Sequence, residues 1–230
     1  MKRQPYRGLC IDTETGGFDE QIHALTSICV GAFTLFPDRA PEVESCHLEI
    51  RAHESLVVTE DAARIQGKTV AEMYLPGQIG AYRRSENHQL GELSFWLWNE
   101  GLIGLPVWAH NADFDRKFLS AACDRYCPGW GKARPSQLAT TSLSVCTLAG
   151  RDSRWSCTRY LAEYLVQKGK LELPTKVNSH GEVVGSVSLD PLLERLGIPG
   201  RQGTGHDAHE DVRLGVAVLD ALLRLDGWWE

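Results

Sequence analysis

The chain has 230 residues, 43% of them hydrophobic and 23% charged, which is enough for one sizeable core and short for two full domains. A formal net charge of −6 argues against a protein that coats long nucleic acid by bulk charge. No apolar stretch approaches the roughly 18 residues that cross a bilayer, the opening MKRQPYRG has no apolar run behind it to make a signal peptide, and the seven cysteines include no CxxC pair. A single cytosolic domain with reduced thiols is therefore expected.

Residues 6–12 (YRGLCID), 26–36 (TSICVGAFTLF) and 43–51 (VESCHLEIR) are rich in β-branched and aromatic residues between turn formers, and predict three strands in a meander. The character then changes to helix, short over 59–66 and longer over 86–100, where Leu90, Leu93 and Leu97 recur at helical spacing. A parallel-type unit follows: strand 106–109, helix 112–126 and a strand near 141–148. Helices are predicted over 156–168, 189–196 and 207–225, with Val212, Val216, Leu219, Leu222 and Leu223 on the last. Between the first two of these, KLELPTKVNSHGEVVGSVSL centres on a good turn, NSHGE, and reads as a β-hairpin insertion. A meander followed by a βαβ unit implies an α/β domain, residues 1–230, whose mixed sheet carries helices on its faces.

Charge is unevenly spread. Residues 132–176 hold eight basic side chains against three acidic ones, interleaved with Trp155, Tyr160 and Tyr164. Two readings stay open for this segment, a guide for single-stranded nucleic acid or a solvated helix face. Cys123 and Cys127 have the i,i+4 spacing of half a metal site, but no matching pair stands out elsewhere. Trp228 and Trp229 either cap the core or form a homodimer contact.

In GLCIDTETGGFDEQ (8–21), Asp12 and Glu14 share one face at the end of the first strand. Two anions side by side repel, and burying them uncompensated costs roughly several kcal/mol, so a cation is expected there. Oxygen ligands favour Mg²⁺ or Mn²⁺ over zinc. In VWAHNADFDRKFL (107–119), Asp113 and Asp115 fall in the first turn of a helix. Capping accounts for Asp113, whereas Asp115, between Phe114 and Phe118, would sit nearer the sheet. GTGHDAHEDVRLGV (203–216) places His206 just before a helix and Asp211 within it, with Gly203 and Gly205 expected to leave the His206 loop mobile. His209 and Glu210, one or two helical steps from Asp211, should face elsewhere.

Taken together, IDTETGGF, HNADFDRKFL and HDAHED resemble the three motifs of the DEDDh family of 3′-to-5′ exonucleases, which includes proofreading subunits, ribonuclease T and oligoribonuclease. ARIQGKT (63–69) and SLDPLLERLGI (188–198) resemble connecting segments of that family, so the likeness spans the chain except about 150–187. Position 207 is Asp, where the related tyrosine subtype would carry Tyr.

The resemblance implies a ribonuclease H-like fold with a central mixed five-stranded sheet, to which the hairpin read from the residues near 170–187 adds an insertion. It implies two Mg²⁺ or Mn²⁺ ions held by Asp12, Glu14, Asp115 and Asp211, about 4 Å apart as in other two-metal sites. His206 would take the proton from the attacking water. Thr15, Gly16, Gly17, Phe18, His110 and Asn111 would contact substrate, the glycines by letting backbone approach the terminal nucleotide and Phe18 by stacking on its base. Core packing is the other reading of Phe18. The implied activity is release of nucleoside 5′-monophosphates from single-stranded DNA or RNA 3′ ends or from short oligonucleotides. A catalytically silent module that binds nucleic-acid ends on the same fold is the alternative.

Overall fold

The computed structural model describes residues 4–76, 84–138, 140–150, 153–173, 175–177, 183–203 and 205–230. In chain order they form β1 (Tyr6–Thr15), β2 (Leu25–Leu35), β3 (Glu42–Arg51), α1 (Glu60–Ile65), α2 (Val70–Tyr74), β4 (Arg84–Ser85), α3 (Glu86–Asn99), β5 (Val107–Ala109), α4 (Ala112–Tyr126), α5 (Pro135–Leu138), α6 (Ser144–Ala149), β6 (Trp155–Cys157), α7 (Thr158–Gln167), β7 (Thr175–Val177), β8 (Val183–Gly185), α8 (Leu189–Arg195) and α9 (Ala208–Asp226). The main sheet has six strands in the order β4-β3-β2-β1-β5-β6. β1, β2 and β3 form the antiparallel meander, and β5 and β6 add parallel to β1. β7 and β8 pair antiparallel as the expected hairpin, whose turn over 178–182 lies outside the described residues.

Period-2 alternation along β1 decides what each face meets. Leu9 and Ile11 pack into the cluster that holds Phe118, Leu119 and Ala122 of α4. Cys10 points the other way, into the cluster with Val212, Val216, Leu219 and Leu223 of α9. The two long helices therefore cover opposite faces of one strand. α9 itself has a second apolar side, with Leu214, Val218 and Leu222 packed among side chains of α7 and α8. Its start is fixed by Asp207, whose Oδ1 accepts from the backbone N–H groups of His209 and Glu210 at 2.8 and 3.1 Å, and its end by Gly227 at φ 80°.

Two strand expectations need correction. The segment near 141–148 is the helix α6, and the strand beside β5 is Trp155–Cys157, which the sequence reading had merged into the start of the following helix. α6 buries Ser144, Val145, Cys146, Leu148 and Ala149 between its neighbours, so no face alternates with solvent and neither helical nor strand period shows in its sequence. The sheet has six strands rather than five because Arg84–Ser85 adds a short edge beside β3. Among the described residues no helix is long and apolar enough to cross a membrane.

Candidate active site

Because Asp12 and Glu14 follow Cys10 in period 2, they leave β1 on the α9 side, where Asp211 sits in the first turn of that helix. A register shift between Glu14 and Thr15 interrupts the regular pairing with β2, which resumes at Thr15 opposite Leu25. Irregularities of this kind re-aim side chains next to functional clefts. Thr13 faces the α4 side, and its backbone N–H and its hydroxyl both donate to Asp115 Oδ1, at 3.0 and 2.8 Å. These bonds fix a carboxylate from the opposite face at the same end of the strand. Asp12, Glu14, Asp115, His206 and Asp211 all line one cleft of about 870 Å³, at the carboxyl ends of the parallel neighbours β1 and β5.

The acidic groups pay for this gathering electrostatically. Burial, with the charges of Asp115, Asp211 and Glu14, pushes the Asp12 carboxyl well above the ordinary carboxylate range, opposed only in part by Arg201. Burial and the charge of Asp211 raise Glu14 to about 8. Asp115 rises to about 7 through burial, despite the two bonds from Thr13. Glu14, His206 and Asp211 each offer a ligand atom, all within 4.8 Å of one another. An oxygen-rich donor set with one imidazole and too little compensating charge fits a divalent cation.

His206 is 48% exposed, with Nδ1 3.7 Å from Asp211 Oδ2. Its loop is tied down rather than loose: the His206 N–H donates to the carbonyl of Ile65 at 2.8 Å, and a Cβ on Gly205 would lie 3.3 Å from that same oxygen. His209 turns away and stacks on His47, ring centroids 5.8 Å apart, while Glu210 accepts from the Gln202 N–H.

The other expected contact residues divide. Phe18 is 90% exposed and stands 6.5 Å, edge-on, from Phe114, so core packing is excluded. Gly17 lines the cleft, but a Cβ there would strike the His23 ring, and one on Gly16 would lie 2.3 Å from the Val57 carbonyl oxygen. These glycines are required by the chain's own close approach. Thr15 spends its hydroxyl on Gly17 O at 2.7 Å, and its carbonyl accepts from Gln66, which is itself held by Thr26. His110 and Asn111 line the cleft, His110 with Nδ1 3.0 Å from Thr158 Oγ1 and its pKa lowered chiefly by burial. Asp113 accepts from the Tyr160 hydroxyl across to α7 and, among the described residues, makes no side-chain capping bond at the start of α4. Of the basic segment, Arg159 reaches the cleft, whereas Lys170 pairs with Asp226 and Lys168 lies over Tyr164. Trp229 packs on the core and the Trp228 ring lies 5.8 Å from that of Tyr6, which is the capping arrangement.

Sequence reasoning missed Arg201. Its Nε and Nη2 donate to Asp211 Oδ1 and Oδ2 at 2.7 and 2.9 Å, and its Nη1 to Asp190. It also missed Thr13 as the residue that holds Asp115. Thr13 was accessible in principle, as the opposite-face neighbour of the paired acids, but a loop arginine folding back on a helix carries no periodic signal.

No protein-family model matches the sequence, and no curated protein matches it. Solved structures do. Exonuclease I from Methylocaldum szegediense superposes with a TM-score of 0.65 at 19% identity, over 95% of this chain and 40% of that one. E. coli exonuclease I in complex with a dT13 oligonucleotide gives 0.65 at 17% identity, over 97% of this chain and 43% of that one. The chain shares the fold of exonuclease I. A zinc-bound E. coli exonuclease I–ssDNA complex gives the same TM-score at 16% identity, over 97% and 42% of the two chains. The architecture is thus ribonuclease H-like, and the chain spans about two fifths of the length of the exonuclease I chains it matches.

Proposed function

We propose that the protein is a metal-dependent 3′-to-5′ exonuclease acting on single-stranded nucleic acid, with Asp12, Glu14, Asp115 and Asp211 as ligands of two Mg²⁺ or Mn²⁺ ions and His206 as general base. The observation that carries this reading is the meeting of four carboxylates and one accessible imidazole, from β1, α4, α9 and the loop before it, in a single cleft where burial and like charge raise Asp12, Glu14 and Asp115 above the ordinary carboxylate range. The dT13 and ssDNA complexes of E. coli exonuclease I support single-stranded DNA as the first substrate to try.

Divalent cations bound there supply positive charge to the scissile phosphate and to the departing 3′ oxygen. The chain's own residues do the rest. His206 accepts a proton from the attacking water at a position open to solvent, a role for which imidazole is suited. Water attacks phosphorus, the bond to the 3′ oxygen of the penultimate nucleotide breaks, and a nucleoside 5′-monophosphate leaves. Thr13 keeps Asp115 turned into the cleft. Phe18 presents an apolar face on which any base can stack. Phe18→Ala should raise KM for oligonucleotides about tenfold, since a stacked base is worth about 1–3 kcal/mol, with a smaller change in kcat; steady-state kinetics on oligo-dT would measure it.

The deciding experiment incubates 5′-labelled single-stranded DNA and RNA with the protein in Mg²⁺, Mn²⁺ or chelator, beside His206→Ala. A ladder descending from the 3′ end is expected, absent in chelator and slowed about 10²- to 10⁴-fold in the variant. Digestion in chelator, or fragments arising from internal cuts, would overturn the reading. Binding of the end without any release would favour the silent module.

A further inference from the structure

The Arg201 side chain is 11% exposed and lies within the wall of the same cleft. It grips both oxygens of Asp211 in the fork geometry that gives arginine its strongest carboxylate pairs, and its remaining terminal nitrogen is held by Asp190. Asp211 is also one of the three residues whose ligand atoms converge with those of Glu14 and His206. A doubly charged cation and a guanidinium on one buried carboxylate repel each other strongly. Neither can take Asp211 at full strength while the other holds it.

We propose that Arg201 is a built-in counterion that occupies Asp211 in the metal-free chain and competes with the divalent cation for it, so that this arginine sets the cation concentration at which the cleft fills. The inference rests on the reading of the cleft as a divalent-cation site. Its logic is that of a binding-competent state populated only in part: the apparent dissociation constant is the intrinsic one divided by the fraction of chains in which Asp211 is released. Asp190, 65% exposed at the cleft wall, keeps the guanidinium at hand when it lets go, so the exchange needs no unfolding of the loop between α8 and α9.

Direct Mn²⁺ binding, followed by the loss of the free-ion electron paramagnetic resonance signal, tests this without reference to turnover. Arg201→Gln should bind Mn²⁺ about tenfold more tightly than the unaltered chain, as expected if Asp211 is free in about a tenth of the metal-free chains. Arg201→Lys, which keeps the charge and loses the fork, should fall between them. Arg159→Gln removes the same charge from the cleft wall without touching Asp211, and should stay within about twofold of the unaltered chain. Equal or weaker Mn²⁺ binding by Arg201→Gln would overturn the proposal, as would an equal gain in Arg159→Gln. Should Arg201→Gln fail to fold, the comparison of Arg201→Lys with the unaltered chain decides in the same way. Absence of Mn²⁺ uptake by every form would instead sink the underlying cation-site reading.

Discussion

Asp12→Asn is expected to abolish nucleotide release and, in chelator, to melt at a higher temperature than the unaltered protein. The two effects have one cause. Burial acts on Asp12 first, then the charges of Asp115, Asp211 and Glu14, with Arg201 opposing. Burial and the neighbouring negative charges penalise the ionised form of this carboxyl in the folded chain and not in the unfolded one. The amide has the same shape and no charge to bury, so the variant should melt higher in chelator. Release should fall at least about a thousandfold, because the charge stabilisation lost with a metal ligand is worth several kcal/mol. Stability and function trade against each other at strained sites in general. Differential scanning calorimetry in chelator and the 3′-end ladder assay read the two halves separately. A variant that melts lower and still digests would remove Asp12 from the centre of the site.

How far the sequence revealed this arrangement depends on which residues are asked about. Asp12 and Glu14 were legible because strand period alone puts them on one face, and the structure then adds only which helix that face meets. Asp115 was legible because a second acid in the first turn of α4 exceeds what capping needs. The exposure of Phe18 was not legible, since an aromatic side chain after two glycines suits core and surface equally, and only the packing of Gly16 and Gly17 on Val57 and His23 turns it outward.

The largest change to the sequence-level picture concerns charge balance. Two anions side by side predict a compensating cation. The fold supplies part of it internally: Arg201 clasps Asp211, and Lys68, itself paired with Glu49 at 2.7 Å, eases the ionisation of Glu14. Neither cation could be placed from spacing, because Arg201 reaches the cleft wall and Lys68 comes near Glu14 only once distant segments of the chain have folded together. The same limit explains α6, whose apolar residues are buried on every side and lose the periodicity that would have distinguished helix from strand.

Without a divalent cation, the protein should lose stability as pH rises from about 5 to about 8, and a divalent cation should reverse that loss most strongly at the upper end. The folded chain holds Glu14 protonated up to about 8 and Asp115 up to about 7, with Asp12 raised as well, whereas the unfolded chain releases these protons near pH 4. Between those limits the native state binds more protons than the unfolded state, so the derivative of unfolding free energy with pH is negative. Glu14 and Asp115 alone, discounted for relaxation, make a fall on the order of 4 kcal/mol, or about 10 °C in Tm. A cation that binds only the folded form adds RT ln(1 + [L]/Kd), and its affinity improves as protons stop competing for the same oxygens. Thermal melts in chelator and in Mn²⁺ across this range would show the two curves diverging with pH. In the double variant Asp12→Asn, Glu14→Gln the chelator curve should flatten, since most of the linked protons are gone. A chelator curve that is already flat in the unaltered protein, or a Mn²⁺ shift of equal size at pH about 5 and about 8, would mean that the carboxyls are not the strained cluster the cleft is built around.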